Sequence, residues 1–155
     1  MPLILKILLI AGAIVALLIL FIVGSTLYYF ATKQIRQEIA RNVLISAAWL
    51  DIWPHPPLKA RLDVQNVFLV IEGYKYELGA PLVPLTLKDG TELHPELQVI
   101  DEYGKVYHLS GLTLIGSLVG FGAKFPRDRT YTGVKIRSDQ AFRCSKVYWD
   151  CSRLK

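Results

Sequence analysis

The chain has 155 residues, 52% of them hydrophobic, and 18 Lys and Arg against 13 Asp and Glu give it a formal net charge of +5. Once an N-terminal apolar run is set aside, about 100 to 120 residues remain, enough for one small domain and not two. The surplus of positive charge has no RNA-type aromatic signature beside it, which points away from nucleic acid as a partner.

Chain order begins with the uncharged run Ile7 to Leu27. A helix needs roughly 20 consecutive apolar residues to span a bilayer, and this run supplies them. Its backbone polar groups have no partner in hydrocarbon except one another, so a helix is expected despite the many β-branched residues. Lys6 marks one end as a snorkelling cation, and Tyr28, Tyr29 and Phe30 followed by Lys33 and Arg36 mark the other. The run exceeds the about 7–15 apolar residues of a signal peptide, so residues 1–30 are expected to be kept as a single-pass anchor in membrane lipid. Ala11, Ala13, Ala16 and Gly24 leave room for a second helix to approach, although no GxxxG occurs.

From Ala31 to Trp53, Ile35, Ile39, Val43, Ala47 and Leu50 recur at helical spacing with polar residues between them, and no Gly or Pro intervenes after Gly24. This predicts an amphipathic helical extension over 31–53 whose apolar stripe needs a partner surface. Trp53-Pro54-His55-Pro56-Pro57 would end it, with 54–60 a proline-rich linker.

Over 61–155 the apolar period changes from 3.6 to 2. Strands are expected at Leu62 to Glu72, Leu82 to Leu87, Leu97 to Asp101, Lys105 to Ser110, Leu112 to Phe121, Tyr131 to Ser138 and Ser145 to Asp150. Turn chemistry at Lys88-Asp89-Gly90-Thr91, Asp101-Glu102-Tyr103-Gly104 and Phe125-Pro126-Arg127-Asp128 separates several of them. The fold class expected is mainly β with one long N-terminal helix: a single transmembrane helix followed by a small antiparallel β-sandwich, immunoglobulin-like in architecture, with a small barrel as the alternative. An apolar helix running into an amphipathic one ahead of a β domain with late cysteines resembles the plan of type IV pilins. The glycine and early glutamate of a pilin leader are missing, so the resemblance implies architecture alone.

Charge is unevenly spread: four bases face eight acids between Arg61 and Ala123, and nine bases face three acids from Lys124 onward. Pairing between these two halves across neighbouring strands is the expected use of that asymmetry.

Candidate chemistry is sparse. Cys144 and Cys151 are a candidate disulfide, but six strand-like residues lie between them. If extended at about 3.3 Å per residue, they would hold the two Cα atoms ~23 Å apart, beyond the roughly 7 Å a disulfide spans. No CxxC spacing suggests zinc. His55, His94 and His108 fall on a linker, a pre-proline position and a strand. A set of His108, Ser110 and Asp101 or Glu102 has no nucleophile-elbow spacing behind it. Gly116, Gly120 and Gly122 have the glycines of a phosphate loop without its Lys and Ser/Thr, and read instead as a strand crowded against a neighbour where a partner backbone can come close.

No enzyme, cofactor or metal is therefore expected. The function expected is that of a non-catalytic single-pass accessory or structural subunit, meeting other membrane protein subunits through Ile35, Ile39, Val43, Ala47 and Leu50 and through Gly116, Gly120 and Gly122. The alternative is a tethered binding module for a carbohydrate, peptide or lipid headgroup, with Tyr74, Tyr76, Tyr103, Tyr107 and Tyr131 as contacts; no small-molecule ligand is specifically indicated. Flanking charges are nearly balanced between the two sides of the span. An extracytoplasmic, periplasmic β domain is chosen over a cytoplasmic one because an anchored sandwich commonly faces outward.

Overall fold

The computed structural model describes residues 2–32, 35–60, 64–75, 84–115, 117–124, 126 and 129–152, with backbone only at 29–32, 35, 64, 124, 151 and 152. The chain forms two compact units, Met1–Lys33 and Gln34–Lys155. The first is one helix, α1 (Leu3–Thr32). Its stretch Leu3–Tyr28 is long and apolar enough to cross a membrane, a test that a signal sequence also passes. At 1.5 Å per residue those 26 residues reach ~39 Å, more than the ~30 Å of a hydrocarbon core. The hydroxyls of Ser25 and Thr26 donate to the Ile22 carbonyl at 3.0 and 2.7 Å, so both are satisfied within the helix.

The second unit is an antiparallel β-sandwich. Its strands are β1 (Ile35–Ile45), β2 (Leu50–Ile52), β3 (Leu58–Lys59), β4 (Val64–Ile71), β5 (Leu85–Thr86), β6 (Glu92–Leu93), β7 (Pro95–Asp101), β8 (Val106–Leu109), β9 (Gly111–Ile115), β10 (Leu118–Lys124), β11 (Thr130–Ser138) and β12 (Phe142–Ser152). One sheet has the order β1-β12-β4-β10-β9 and the other β2-β11-β7-β8, with β3 also on β11 and β5-β6 a separate hairpin. Alternation places Val67, Leu69, Val119, Val147 and Trp149 of the first sheet against Leu97, Val99, Tyr131, Val134 and Ile136 of the second, all buried in a single core. Trp149 and Tyr131 meet across it with ring centroids 5.7 Å apart.

The amphipathic helix expected over 31–53 is not there. Ile35–Ile45 is strand β1, paired antiparallel with β12, and Leu50–Ile52 is strand β2. Ile35, Ile39, Val43 and Ala47 are four apart, a spacing that suits a strand as well as a helix. Ile39 is an extra residue where the register shifts between Glu38 and Ala40, and Asn42 has a φ of 52°, irregularities that break a clean alternation. Ile39, Val43 and Leu50 pack against the domain's own core, and Ala47 lies exposed in the β1–β2 connection. They form no outward stripe. The 54–60 segment is likewise part of the sandwich, with Leu58 and Ala60 buried. The single strand expected at Leu112 to Phe121 is a hairpin of β9 and β10.

The acidic and basic halves of the domain meet as expected. Arg137 pairs with Glu96 at 2.7 Å and Arg129 with Asp101 at 3.2 Å, joining β11 or its approach to β7.

Cys144 is buried and free, and Cys151 lies seven residues along the same strand, so the candidate intrachain disulfide is ruled out by the extended backbone between them. Burial, with a smaller contribution from the Glu72 charge, pushes the Cys144 thiol up to about 12. In a Cys151→Ser background Cys144 is therefore expected to resist iodoacetamide at pH 8 and to alkylate only once denaturant unfolds the domain, as intact mass would record. Rapid alkylation of the folded protein would contradict this placement.

Candidate functional site

A concavity among the described residues lies where β9 turns away from the second sheet. Leu109 ends β8, Ser110 forms the corner and β9 begins at Gly111, so the chain passes from the edge of one sheet to the edge of the other. The β5-β6 hairpin approaches the same place. It is closed by the turn expected at Lys88 to Thr91: Gly90 takes the φ of 86° that a side chain would resist, and the Thr91 N–H donates to Asp89 Oδ1 at 2.9 Å. Between hairpin and corner opens a cleft of about 270 Å³ lined by Leu85, Leu93, His94, Pro95, Glu96, Ser110, Leu112 and Phe121. Leu85, Leu93 and Phe121 are themselves buried and form its apolar floor.

The polar groups at the rim are mostly committed elsewhere. His94 Nδ1 lies 3.0 Å from Asp139 Oδ2, and the His94 N–H donates to Asp139 Oδ1 at 3.2 Å. Partial burial would raise the Asp139 carboxyl, but N–H donors from Gln140 and His94 outweigh it and hold the group below its ordinary value. An ionised Asp139 can only accept, so the hydrogen bond between the two is donated by the His94 Nδ1–H. Glu96 Oε2 accepts two hydrogen bonds from Arg137, at 3.1 and 2.7 Å. No hydrogen bond joins Ser110 to His94, so the imidazole and hydroxyl are not linked as base and nucleophile. Among the described residues no three His, Cys, Asp or Glu side chains are grouped to hold a metal ion.

The other residues singled out from the sequence are dispersed. His55 is exposed in the proline-rich segment, and His108 approaches Gln98 at 3.4 Å, not Ser110 or Asp101. Tyr76 and Gly116 lie outside the described residues. Tyr131 is wholly buried, with its hydroxyl donating to the Pro126 carbonyl at 2.9 Å, while Tyr74 and Tyr107 are half-buried; only Tyr103 of the described set is open to solvent. A tyrosine-lined ligand surface is therefore not what these residues form. Gly120 and Gly122 are explained by crowding: a Cβ on Gly120 would lie 2.4 Å from the Phe68 ring, and one on Gly122 would fall on Asn66 Oδ1. The Phe68 and Asn66 side chains of β4 occupy the space that a side chain at these two positions of β10 would take.

Asp101 is a buried carboxylate with several hydrogen-bond donors, and its role is structural. Its buried side chain accepts from the N–H groups of Tyr103 and Lys105 at 2.9 and 2.8 Å, from the Tyr107 hydroxyl at 3.1 Å and from Arg129 at 3.2 Å. Burial alone would raise its pKa, but those backbone donors, then Tyr107 and the Arg129 charge, hold it below its ordinary value of 3.8. A carboxyl depressed in the folded state adds stability that is complete above its unfolded pKa and disappears as pH falls through the folded value. Asp101→Asn is expected to lower the melting midpoint at pH 7 by roughly 5–10 °C. The gap should close as acid protonates the parent carboxyl, and equal gaps at pH 7 and pH 2.5 would refute the assignment.

No protein-family model and no curated protein matches this chain.

Proposed function

We propose that this protein is a single-pass, membrane-anchored and non-catalytic accessory or structural subunit, whose β-sandwich holds another polypeptide at the membrane surface. One observation carries the reading: a span-length apolar helix precedes a folded domain that keeps an open apolar cleft at a sheet edge, around which the described residues assemble no nucleophile, base or metal set. A surface built to bind and not to react fits docking. The amphipathic stripe is no part of this argument, because Ile39, Val43 and Leu50 pack against the domain's own core.

In this reading residues 1–30 are retained, and the domain faces the extracytoplasmic side. The retained chain has an intact mass of 17.5 kDa and stays in the pellet on carbonate extraction, whereas a cleaved signal sequence would release a lighter soluble form. Tyr103→Cys in the Cys151→Ser background offers an exposed thiol, and its labelling by a membrane-impermeant maleimide on intact cells reports the side of the domain.

The deciding experiment is crosslinking mass spectrometry on the complex purified in mild detergent. A stoichiometric partner crosslinked to the β domain is expected. A monomer without partners after gentle solubilisation would overturn the reading and favour a tethered module for a small ligand.

A further inference from the structure

Among the described residues the two sheets end in four edges, and three of them are protected against pairing with another chain. β1 carries Arg36, Glu38 and Arg41 and is broken by the extra residue Ile39 and by Asn42 at positive φ. β2 is three residues long and contains Asp51, and β8 is four residues long with Lys105 beside it and His108 within it. Charges, bulges and short lengths are the devices by which sheet edges avoid adventitious pairing. β9 has none of them. Gly111-Leu112-Thr113-Leu114-Ile115 holds no charge and no proline, and it pairs with β10 in unbroken register. Its other side has no strand partner among the described residues, and Ile115 is 46% exposed.

The cleft adjoins this same edge. Ser110 and Leu112 form one wall of it, and the β5-β6 hairpin with the start of β7 forms the other. We propose that β9 is a strand-addition site: an extended segment of another polypeptide pairs with it through main-chain hydrogen bonds and seats one apolar side chain in the cleft. This is the way edge-binding domains recognise peptides, with the backbone giving affinity and alternate side chains giving selectivity. It rests on the docking function proposed above and names where and how docking occurs.

Two alternatives fit less well. At about 270 Å³ the cleft is smaller than the roughly 300–1,000 Å³ of small-molecule sites, a size suited to one side chain. A second copy pairing β9 to β9 would keep its Leu112 and Leu114 on its own core, against which they already pack, and would leave the cleft empty. The rim's polar side chains are engaged with one another, His94 with Asp139 and Glu96 with Arg137, and the floor of the cleft is Leu85, Leu93 and Phe121, so the segment is apolar at alternate positions.

The test uses the full chain in nanodiscs, with a phage-displayed library of random 12-residue peptides as probe and empty nanodiscs removing lipid binders. Enriched peptides are expected to carry apolar residues at alternate positions and, when synthesised, to slow amide exchange within β9. Thr113→Lys combined with Ile115→Lys adds charge at two exposed edge positions without touching the core, and should weaken those peptides about tenfold or more while leaving the melting midpoint unchanged. No enrichment, or peptides that bind the double variant equally well, would overturn the proposal. So would self-association of the parent that the double variant abolishes, which would make a second copy the occupant. If crosslinked partners stay stoichiometric on the double variant, the strand-addition site fails and the subunit function stands. If no partner is found and no peptide binds, both fail.

Discussion

Replacing Trp149 with alanine is expected to cost about 3–5 kcal/mol, a large share of the roughly 5–15 kcal/mol that stabilises a domain of this size, and to leave the sandwich largely unfolded at 37 °C. Trp149 is 1% exposed on β12, the strand that β1 and β4 flank, and its ring reaches Tyr131 of the opposite sheet. Tyr131 in turn meets Tyr107 edge to face, with centroids 5.8 Å apart. Removing the indole thus empties the place where both sheets are joined, and strands on either side cannot collapse inward without breaking their ladders. Trp53→Ala is the control: that ring is 58% exposed and should cost no more than about 1 kcal/mol. Chemical denaturation followed by far-ultraviolet circular dichroism separates the two, and similar costs would contradict the placement of Trp149 at the core.

Gly120→Val should be the next most damaging change, at about 2–4 kcal/mol, although it adds an apolar side chain to a strand. Phe68 is 1% exposed yet belongs to the outer side of its sheet, lying over Gly120 with the Arg36 guanidinium 5.4 Å above its ring. Arg36 is held there by the buried carboxylate of Asp150 at 2.9 Å and by the Tyr148 ring at 5.7 Å. A branched side chain at 120 lifts the Phe68 ring away, exposing it and dislodging the cation stacked on it. The valine should cost much less in a Phe68→Ala background, where nothing occupies its space, and the double-mutant cycle measures that coupling. Additive costs would refute the crowding account of these glycines.

The helix was legible because a bilayer's demand is local: length and apolarity within one continuous segment suffice. The turns at Lys88 to Thr91 and Asp101 to Gly104 were legible for a similar reason, since Gly90 and Gly104 take φ values of 86° and 80° and Asp89 and Asp101 bond to backbone N–H groups two residues on. Strands β4, β7, β8 and β11 were marked by alternation between a core face and an outer face. β1 was not, because residues four apart satisfy both periods and its two irregularities blur the alternation. Only pairing with β12, more than a hundred residues away, decides between helix and strand there. The candidate site was legible in part: Leu112 to Phe121 stood out for its glycines, but the strand turns back at its middle. The glycines seat Phe68 and Asn66, and the open edge belongs to β9.

By itself the sequence determined a span-length apolar helix, a β-rich remainder, several of its turns and the complementary charge of its two halves, all properties carried by neighbouring residues or by composition. Tertiary structure alone decided that Ile35 to Ile45 is a strand, that Leu112 to Phe121 is a hairpin, and that Ser110 and Leu112 lie across a cleft from Leu85 and Leu93. These depend on pairing between strands, and no local periodicity records which strand will lie beside which.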